Sequence, residues 1–376
     1  MIVTCARERL AAALALAERA AAIGENLPVL GGVRLHAADG HLELAATDLE
    51  MSVLARVEAA VEEPGERVVD ARLFSALVRR LEGGDVVLRS APDGQSLEVR
   101  AGGSRFSLVS MPADEFPELP RLADGWRVQL PAGKLERAIT QCRFASAVSD
   151  QRPVLSGVLL ESEEGMLRLV ATDSSRLAYR EVPISGLTPF GNSGLFSPRA
   201  ILPARALEEM RRMCASVEPD SEVILSLGER LAELEVPAAR LTTRLIEGNF
   251  PPYRQVFLDD LPSRVRFRRD SLLDAVQRVA LLSRRGPAVV QICVEDGQVL
   301  LRSAVADSGE GEERVDAHAE GPPFVVAYQA RFLEEFLKAF DEEEVELELG
   351  DPARQGTFRI AGDPGYRYIV MPWRTG

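Results

Sequence analysis

The sequence predicts an α+β protein built from three tandem, similar domains, each with two helices on antiparallel sheets. The first observation is an internal repeat, because residues 153–182 match residues 28–57 at thirteen of thirty positions without a gap. Ordinary residue usage would give roughly two matches. A third and more divergent copy runs from Pro287 to Asp316 and lacks the Thr-Asp pair of the other two. Because the copies begin at residues 28, 153 and 287, each repeat unit is well over a hundred residues long, which exceeds a solenoid unit and indicates three domains of one fold.

The second observation is an amphipathic helix at the start of each repeat and another in its second half. Ser271 is the predicted N-cap of one of them. Apolar side chains recur at the helical period in residues 7–22, 134–147 and 271–285, and again in 72–81, 204–214 and 330–340.

The third observation is a set of short alternating runs after each helix, separated by hairpin turn signals such as Asp39-Gly40, Glu164-Gly165 and Asp296-Gly297. Phe116-Pro117 and Phe250-Pro251 close the first two repeats at equivalent places. These features predict antiparallel meanders and three domains at residues 1–123, 124–259 and 260–376.

Composition places the chain among ordinary globular proteins, with 376 residues, 46% hydrophobic and 27% charged. No apolar run reaches the length of a membrane span, and the first residues lack the apolar core of a signal peptide. We therefore expect a cytoplasmic protein that does not bind membranes. Four cysteines lie far apart without CxxC spacing, which favours free thiols over disulfides or a zinc site.

Charge is distributed unevenly between the predicted helices and the rest of the chain. The protein has a net charge of −14, yet the six helices, counted with Glu82 directly after residues 72–81, carry 17 basic and 9 acidic residues. If the helices share one face, that face attracts a phosphate backbone while the rest of the surface repels it. The alternative interpretation is that the helices carry arginine on solvated faces.

Motifs for catalysis are absent from the sequence. It contains three histidines and no HExxH, GxSxG, P-loop or GxGxxG pattern, so a zinc or nucleotide-using enzyme is not expected. The repeated Thr47-Asp48 and Thr172-Asp173 pairs could be a nucleophile and a base. A strand-end pair held by local hydrogen bonds is the plainer interpretation.

Several motifs together resemble the bacterial sliding clamp, the beta subunit of DNA polymerase III, over essentially the whole chain. They are LPVLGGV followed by TDLE, SRFSL followed by MPADEFP, VATDSSRLA, RLIEGNFPPYRQV, RVALLS and the C-terminal YIVMPWR. The resemblance implies a non-catalytic clamp fold without a cofactor. It also implies that two subunits join head to tail into a ring of six domains around double-stranded DNA.

In such a ring the helices line the hole, and basic side chains solvate the passing backbone without base readout. The candidates for this lining are Arg72, Arg79, Arg80, Arg137, Arg205, Arg211, Arg278 and Lys338. By the same resemblance, Phe106 and Leu108 of one subunit meet Leu281 and Leu282 of the other, with Arg105, Arg284 and Arg285 available for ion pairs.

The implied partners are the polymerase III catalytic subunit, the clamp loader and other proteins with a clamp-binding motif, which insert a short peptide into a pocket. The matching positions of this chain are Leu155, Thr172, Ser174, Ser175, Arg176, Leu177, Pro251, Gln255, Val256, Val370, Met371, Pro372, Trp373 and Arg374. We expect an apolar floor with the stem of one arginine packed along it.

Three parts of this pocket depart from the family pattern. Family members often have Gly followed by His or Tyr at Ser174-Ser175, a second basic residue at Gln255, and a small or flexible apolar residue at Trp373. These changes predict a reshaped pocket. Two alternatives therefore remain beside the main clamp: a second-copy clamp that evades pocket-binding inhibitors, and a repeat scaffold that binds proteins without DNA.

Overall fold

The helices of the computed structural model follow the sequence prediction closely. The structure describes residues 1–24, 27–148, 152–192, 197–259, 261–282, 287–295, 298–305 and 309–373. The first helix ends at Ala17, earlier than predicted, and the fifth begins at Arg269, so Ser271 lies inside it and is not its N-cap. Within the described ranges the helices are α1 (Arg7–Ala17), α2 (Ala71–Arg80), α3 (Ala132–Arg143), α4 (Ala204–Cys214), α5 (Arg269–Ala280) and α6 (Ala330–Leu337).

The strands pair almost entirely as antiparallel neighbours, as the hairpin signals predicted. The Asp296-Gly297 turn lies outside the described residues. In chain order the strands are β1 (Ile2–Ala6), β2 (Gly32–Ala38), β3 (His41–Thr47), β4 (Met51–Glu63), β5 (Gly65–Asp70), β6 (Asp85–Ser90), β7 (Ser96–Ala101), β8 (Ser104–Met111), β9 (Gly125–Pro131), β10 (Gly157–Glu163), β11 (Met166–Thr172), β12 (Arg176–Pro183), β13 (Gly186–Phe190), β14 (Arg199–Pro203), β15 (Glu222–Leu227), β16 (Leu231–Val236), β17 (Ala239–Arg244), β18 (Ser263–Arg268), β19 (Val289–Glu295), β20 (Gln298–Val305), β21 (Gly309–Val315), β22 (Ala317–Glu320), β23 (Phe324–Gln329), β24 (Glu344–Leu349), β25 (Gly356–Ile360) and β26 (Asp363–Val370).

The chain folds into two compact units, each made of two segments. The first unit contains Met1–Gly133 and Ser185–Leu245. Its main sheet has the strand order β1-β6-β7-β8-β5-β2-β3-β4-β17-β16-β15-β9-β13. Helices α1 and α2 pack on each other in this unit, and their buried faces include Leu14 and Phe74.

The second unit contains Lys134–Ile184 and Ile246–Gly376. One of its sheets runs β10-β11-β12-β26-β25-β24-β18-β22, and another runs β21-β20-β19-β23. An aromatic core lies under α6, where the ring of Phe336 stacks on Tyr368 at 4.9 Å and contacts Phe358 at 5.4 Å between centroids. All three rings are fully buried.

Two strand pairs explain why the units cut across the predicted repeats. The last strand of the second repeat, β17, pairs with β4 of the first repeat, and the last strand of the third repeat, β26, pairs with β12 of the second. Each pair places main-chain hydrogen bonds between consecutive repeats. The second repeat is therefore divided: its first half belongs to the unit of the third repeat and its second half to the unit of the first.

The Thr-Asp pairs form the turns that precede β4 and β12. The hydroxyl of Thr47 donates to the carbonyl of Met51 at 2.9 Å, and the hydroxyl of Thr172 donates to that of Arg176 at 2.6 Å. The residue after each pair has a positive φ, 75° at Leu49 and 79° at Ser174. This geometry confirms the interpretation of the pairs as local hydrogen-bonded turns.

The cysteines are free and buried, as their spacing predicted. Among the described residues, no helix is both long and apolar enough to cross a membrane.

Candidate functional site

The pairing of β12 with β26 brings two of the predicted pocket segments together. Arg176 lies opposite Val370, and Leu177 lies opposite Ile369. Beyond the last paired residues, the amide of Met371 donates to the carbonyl of Ser175 at 2.8 Å. The Ser174–Leu177 segment and the end of the chain are therefore neighbours, although they are separated by almost two hundred residues.

Single hydrogen bonds connect the segments around Val256 and Arg152 with the same region of the second unit. Gly356 of β25 lies opposite Val370, and the side-chain amide of Gln355 donates to the carbonyl of Val256 at 3.2 Å. On the other side, the guanidinium of Arg152 donates to the hydroxyl of Ser174 at 2.6 Å. Because neighbouring strands are about 4.8 Å apart, these segments surround one surface of modest width.

Successive side chains of a strand lie on opposite faces of the sheet, and this alternation determines which of them share that surface. Leu177 and Tyr179 lie on one face of β12, opposite Ile369 and Arg367 of β26. The ring of Phe257 covers this face, 5.2 Å from the ring of Tyr179, and the guanidinium of Arg367 lies 4.9 Å from its centroid. We call this face, with Val256 and Met371 at its end, the β12–β26 surface.

Sequence reasoning missed Tyr179, Phe257, Arg367 and Ile369 on this surface. The period-2 pattern of a strand could have found Tyr179, which is two residues after Leu177. The placement of Val370 differs from the prediction, because the register turns its side chain to the opposite, fully buried face.

Arg176 also lies on the opposite face, where it joins a strand to two helices. Its side chain is 1% exposed and pairs with Asp173 at 2.9 Å and with Glu335 of α6. Its guanidinium donates to the carbonyl of Phe144 at 2.7 Å and lies 4.4 Å from the ring centroid of Phe332. The prediction of an arginine stem along an apolar floor therefore differs from the structure, in which this side chain is internal.

The exposed part of the predicted pocket is its rim. Met371 is 43% exposed, Trp373 37% and Val256 36%. The amide of Trp373 donates to the carbonyl of Ala327 at 2.7 Å, which fixes the start of the C-terminal tail. Arg374 lies outside the described residues. Of the other predicted positions, Ser174, Ser175 and Gln255 are exposed, Pro251 and Pro372 are half-buried, and Leu155, Thr172 and Leu177 are buried.

The basic side chains predicted to face DNA are mostly paired within the chain. Arg72 and Arg80 are exposed, and Arg80 donates to the carbonyl of Ala76 at 3.2 Å. The other six meet carboxylates: Arg79 with Glu18, Arg137 with Glu342, Arg205 with Asp48, Arg211 with Glu208, Arg278 with Glu313 and Lys338 with Glu334. The excess positive charge counted over the helices is therefore partly neutralised by acids from other elements.

The predicted dimer residues lie on β8, whose outer edge is largely unpaired among the described residues, and in the turn after α5. In β8, residues 104–109 pair with β7 on one side, while β5 reaches only Ser110 and Met111 on the other. Phe106 is 43% exposed, whereas Leu108 is already buried. Leu281 is 76% exposed, and Leu282 packs on Gly311 of β21, the outermost strand of its sheet. Arg284 and Arg285 lie outside the described ranges.

The fold and these surfaces define a class: a three-domain α+β clamp fold that carries no catalytic constellation in its sequence. Three consecutive domain models of the DNA polymerase III beta subunit match this chain, the N-terminal domain at residues 1–120, the central domain at 129–252 and the C-terminal domain at 254–374.

Full-length relatives agree with this assignment. The chain is 33% identical over 356 residues to the beta sliding clamp of Escherichia coli and 32% identical over 354 residues to that of Caulobacter vibrioides, with 93% of each chain covered in both cases. It superposes with a TM-score of 0.92 and 29% identity on the sliding clamp of Pseudomonas aeruginosa bound to griselimycin, covering 100% of both chains. The chain belongs to the bacterial beta sliding clamp family. It is a non-catalytic processivity factor of DNA replication.

Replacing the internal arginine tests the packing behind the β12–β26 surface. Arg176→Met should lower the free energy of unfolding by about 3 to 5 kcal/mol, because Asp173 and Glu335 lose a buried partner. The matched control is Arg331→Met, since Arg331 pairs with the same Glu335 at 2.8 Å but is 62% exposed; it should cost less than about 1 kcal/mol. Denaturant titration of both variants measures the difference, and equal losses would contradict the internal role of Arg176.

Proposed function

We propose that this clamp works as a homodimeric, head-to-tail ring that encircles double-stranded DNA and tethers partner proteins through the β12–β26 surface. The observation that carries the ring is a missing strand partner. The last strands of the second and third repeats, β17 and β26, each pair with a strand of the preceding repeat. Among the residues that the structure describes, the last strand of the first repeat, β8, pairs only with β7 and β5 of its own repeat.

The strands β4, β12 and β21 occupy the same position in the first, second and third repeats. Because β4 and β12 pair with the last strand of the following repeat, β21 is the equivalent partner for β8. β21 is the outermost strand of its sheet, so its free edge is available to a second chain. Pairing β8 of each chain with β21 of the other removes both open edges and closes two chains into a ring. The same rule that joins repeats within a chain would then join the chains.

Charge and shape on the two edges support this pairing. A cleft of about 930 Å³ beside β8 contains four arginines and two glutamates, whereas β21 exposes Glu310 and Glu312; the charged lining residues of the cleft are Arg67, Arg89, Arg100, Arg105, Glu63 and Glu98. Near β21, a recess of about 720 Å³ is lined by Gln277, Leu281 and Glu334. This recess can receive the exposed ring of Phe106. Val109, which is 83% exposed on β8, adds apolar area that the sequence comparison did not single out.

For DNA, we propose weak contacts by the basic helix side chains. Because most of them already pair with carboxylates, a phosphate competes with an existing ion pair and gains little net energy. Contacts of this kind are exchangeable and independent of sequence, which suits a ring that slides. Affinity for the template would come from topology. We place this activity in the cytoplasm.

For partners, we propose the polymerase III catalytic subunit, the clamp loader and other proteins with a clamp-binding motif. The exposed apolar rim of Val256, Met371 and Trp373 can receive apolar anchors, and Ile369 beside Leu177 takes the floor position predicted for Val370. We propose domain borders near residues 123 and 260, just before β9 and β18 begin at Gly125 and Ser263.

The alternative function, a repeat scaffold that binds proteins without DNA, would not require β8 of one chain to pair with β21 of another.

Ring assembly can be tested at the apolar end of the proposed interface. Changing Leu281→Ala together with Leu282→Ala should convert dimers into monomers, since each buried leucine is worth about 2 to 5 kcal/mol in a well-packed site. The control is Val148→Ala, because Val148 is 88% exposed and far in sequence from both edges. Multi-angle light scattering reports the mass of each protein. A monomeric unmodified protein would show that the ring proposal is wrong.

The DNA contacts can be tested by charge reversal on α2. Arg79→Glu with Arg80→Glu should reduce loading onto primed circular DNA, while binding of a partner peptide stays within about twofold. Binding of the unmodified protein to linear duplex should be weak, indifferent to sequence and steeply reduced by salt. An affinity that selects one sequence or resists salt would overturn this part of the proposal.

The pocket departures can be tested by restoring the common residues. We expect the native protein to bind a linear consensus clamp-binding peptide with an altered anchor preference, and to bind a small cyclic inhibitor of the common pocket poorly. Trp373→Met with Ser175→His should strengthen inhibitor binding, because the rigid indole is removed and an imidazole wall is added. Isothermal titration calorimetry measures the affinity of each protein for the peptide and for the inhibitor. The control variant is Ile23→Met, which changes an exposed apolar side chain elsewhere. Identical affinities in native and double variant would show that the departures are neutral.

A further inference from the structure

The junction of the first two repeats copies the backbone of the β12–β26 surface. In the first unit the amide of Arg244 donates to the carbonyl of Glu50 at 2.9 Å, which reproduces the bond from Met371 to Ser175 at 2.8 Å. The register agrees as well, since Leu54 lies opposite Arg240 where Tyr179 lies opposite Arg367. The chain therefore contains the same strand arrangement twice, with different side chains.

A cleft occupies this second arrangement. Its volume is about 310 Å³, and its lining includes Leu54, Arg56, Arg121, Glu235, Pro237 and Arg240. Arg121 lies five residues after Phe116, as Gln255 lies five residues after Phe250. The cleft thus lies where the β12–β26 surface lies in the second unit, with Arg240 in the place of Arg367, and a volume of this size suits a few side chains.

The lining carries three arginines against one glutamate, Glu235, in a protein whose net charge is −14. Arg56 pairs with Glu43 at 2.7 Å, and Arg240 lies 3.5 Å from the buried carboxylate of Glu233. Arg121 is exposed and has no ion-pair partner among the residues that the structure describes. One guanidinium is therefore free to bind a carboxylate in bidentate geometry, next to the partly buried side chain of Leu54.

We propose that this cleft is a second docking site, which binds a short acidic segment of a partner protein. A carboxylate of the segment pairs with Arg121, and an aliphatic side chain packs on Leu54 and Pro237. A DNA duplex is the other polyanion that basic side chains could attract, but a cleft of about 310 Å³ admits side chains and not a double helix. The inference uses only the backbone likeness to the β12–β26 surface, so the two docking sites can fail separately.

The probe is a fluorescein-labelled peptide of alternating glutamate and leucine, with a glutamine-leucine peptide as its uncharged counterpart. Fluorescence anisotropy with the full chain should show binding of the acidic peptide that weakens as salt rises, and much weaker binding of the counterpart. Arg121→Glu should reduce the affinity about tenfold or more, because a charge-assisted hydrogen bond becomes a repulsion.

The matched control is Arg230→Glu, which makes the same change in net charge. Arg230 is exposed before β16, and five residue steps along that strand, about 17 Å, separate Leu231 from Val236 at the cleft. This variant should bind the acidic peptide within about twofold of the native protein. The consensus clamp-binding peptide, titrated in parallel, should bind all three proteins equally.

Any of the following results would overturn the second site: no binding of the acidic peptide by the native protein, no loss with Arg121→Glu, or equal loss with Arg230→Glu. Equal loss with Arg230→Glu would show a general charge effect. Competition by a short DNA duplex at equal strength would assign the cleft to nucleic acid and would also contradict the proposal. Failure of the consensus peptide alone would concern the β12–β26 surface and leave this site intact.

Discussion

Main-chain pairing between consecutive repeats is the constraint on which the rest of this clamp depends. A strand edge that is left open exposes amide and carbonyl groups that must find partners. In this chain β17 covers β4 and β26 covers β12, so two junctions are closed internally, whereas β8 and β21 have no such partner from another repeat among the described residues. Because a strand pair fixes register over several residues, each junction also fixes which side chains meet across it.

The same pairing creates the surface that we propose for partner binding. Leu177 and Ile369 lie side by side because β12 and β26 are in register, and the Thr172-Asp173 turn sets where β12 begins. Behind them, Arg176 is bound by Asp173, Glu335 and the carbonyl of Phe144, which connects the strand pair to α6 and to the end of α3. A partner peptide would therefore meet a surface whose supporting residues are already held in place.

Much of this fold could be predicted from the sequence, because the signals are local or repeated. The duplication, the helical period and the hairpin turns gave the element order, and Thr47-Asp48 gave the turn before β4. The end of α1 and the start of α5 were less accurate. After α1 the cap residue Glu18 keeps a helical conformation and is not a glycine stop signal, and before α5 Arg268 makes no side-chain cap hydrogen bond.

The site was harder to predict because it depends on register between strands far apart in the chain. No local pattern distinguishes Val370, which is turned inward, from Ile369, which lies beside Leu177. The pairing of Arg137 with Glu342 and of Arg205 with Asp48 likewise joins residues more than 150 positions apart. Counting charges over helices therefore overestimated the positive charge that is free to meet DNA. Residue types showed which groups were available, and only the three-dimensional structure showed which were already paired.

The central claim is that this protein holds DNA by topology. The most direct measurement is retention on a nicked circular plasmid after loading by a bacterial clamp loader with ATP, followed by cutting the plasmid once and gel filtration at a salt concentration that abolishes binding to linear duplex. The account predicts that the clamp stays on the intact circle and leaves the cut DNA. Equal retention on circular and cut plasmid, or equal loss from both, would contradict it.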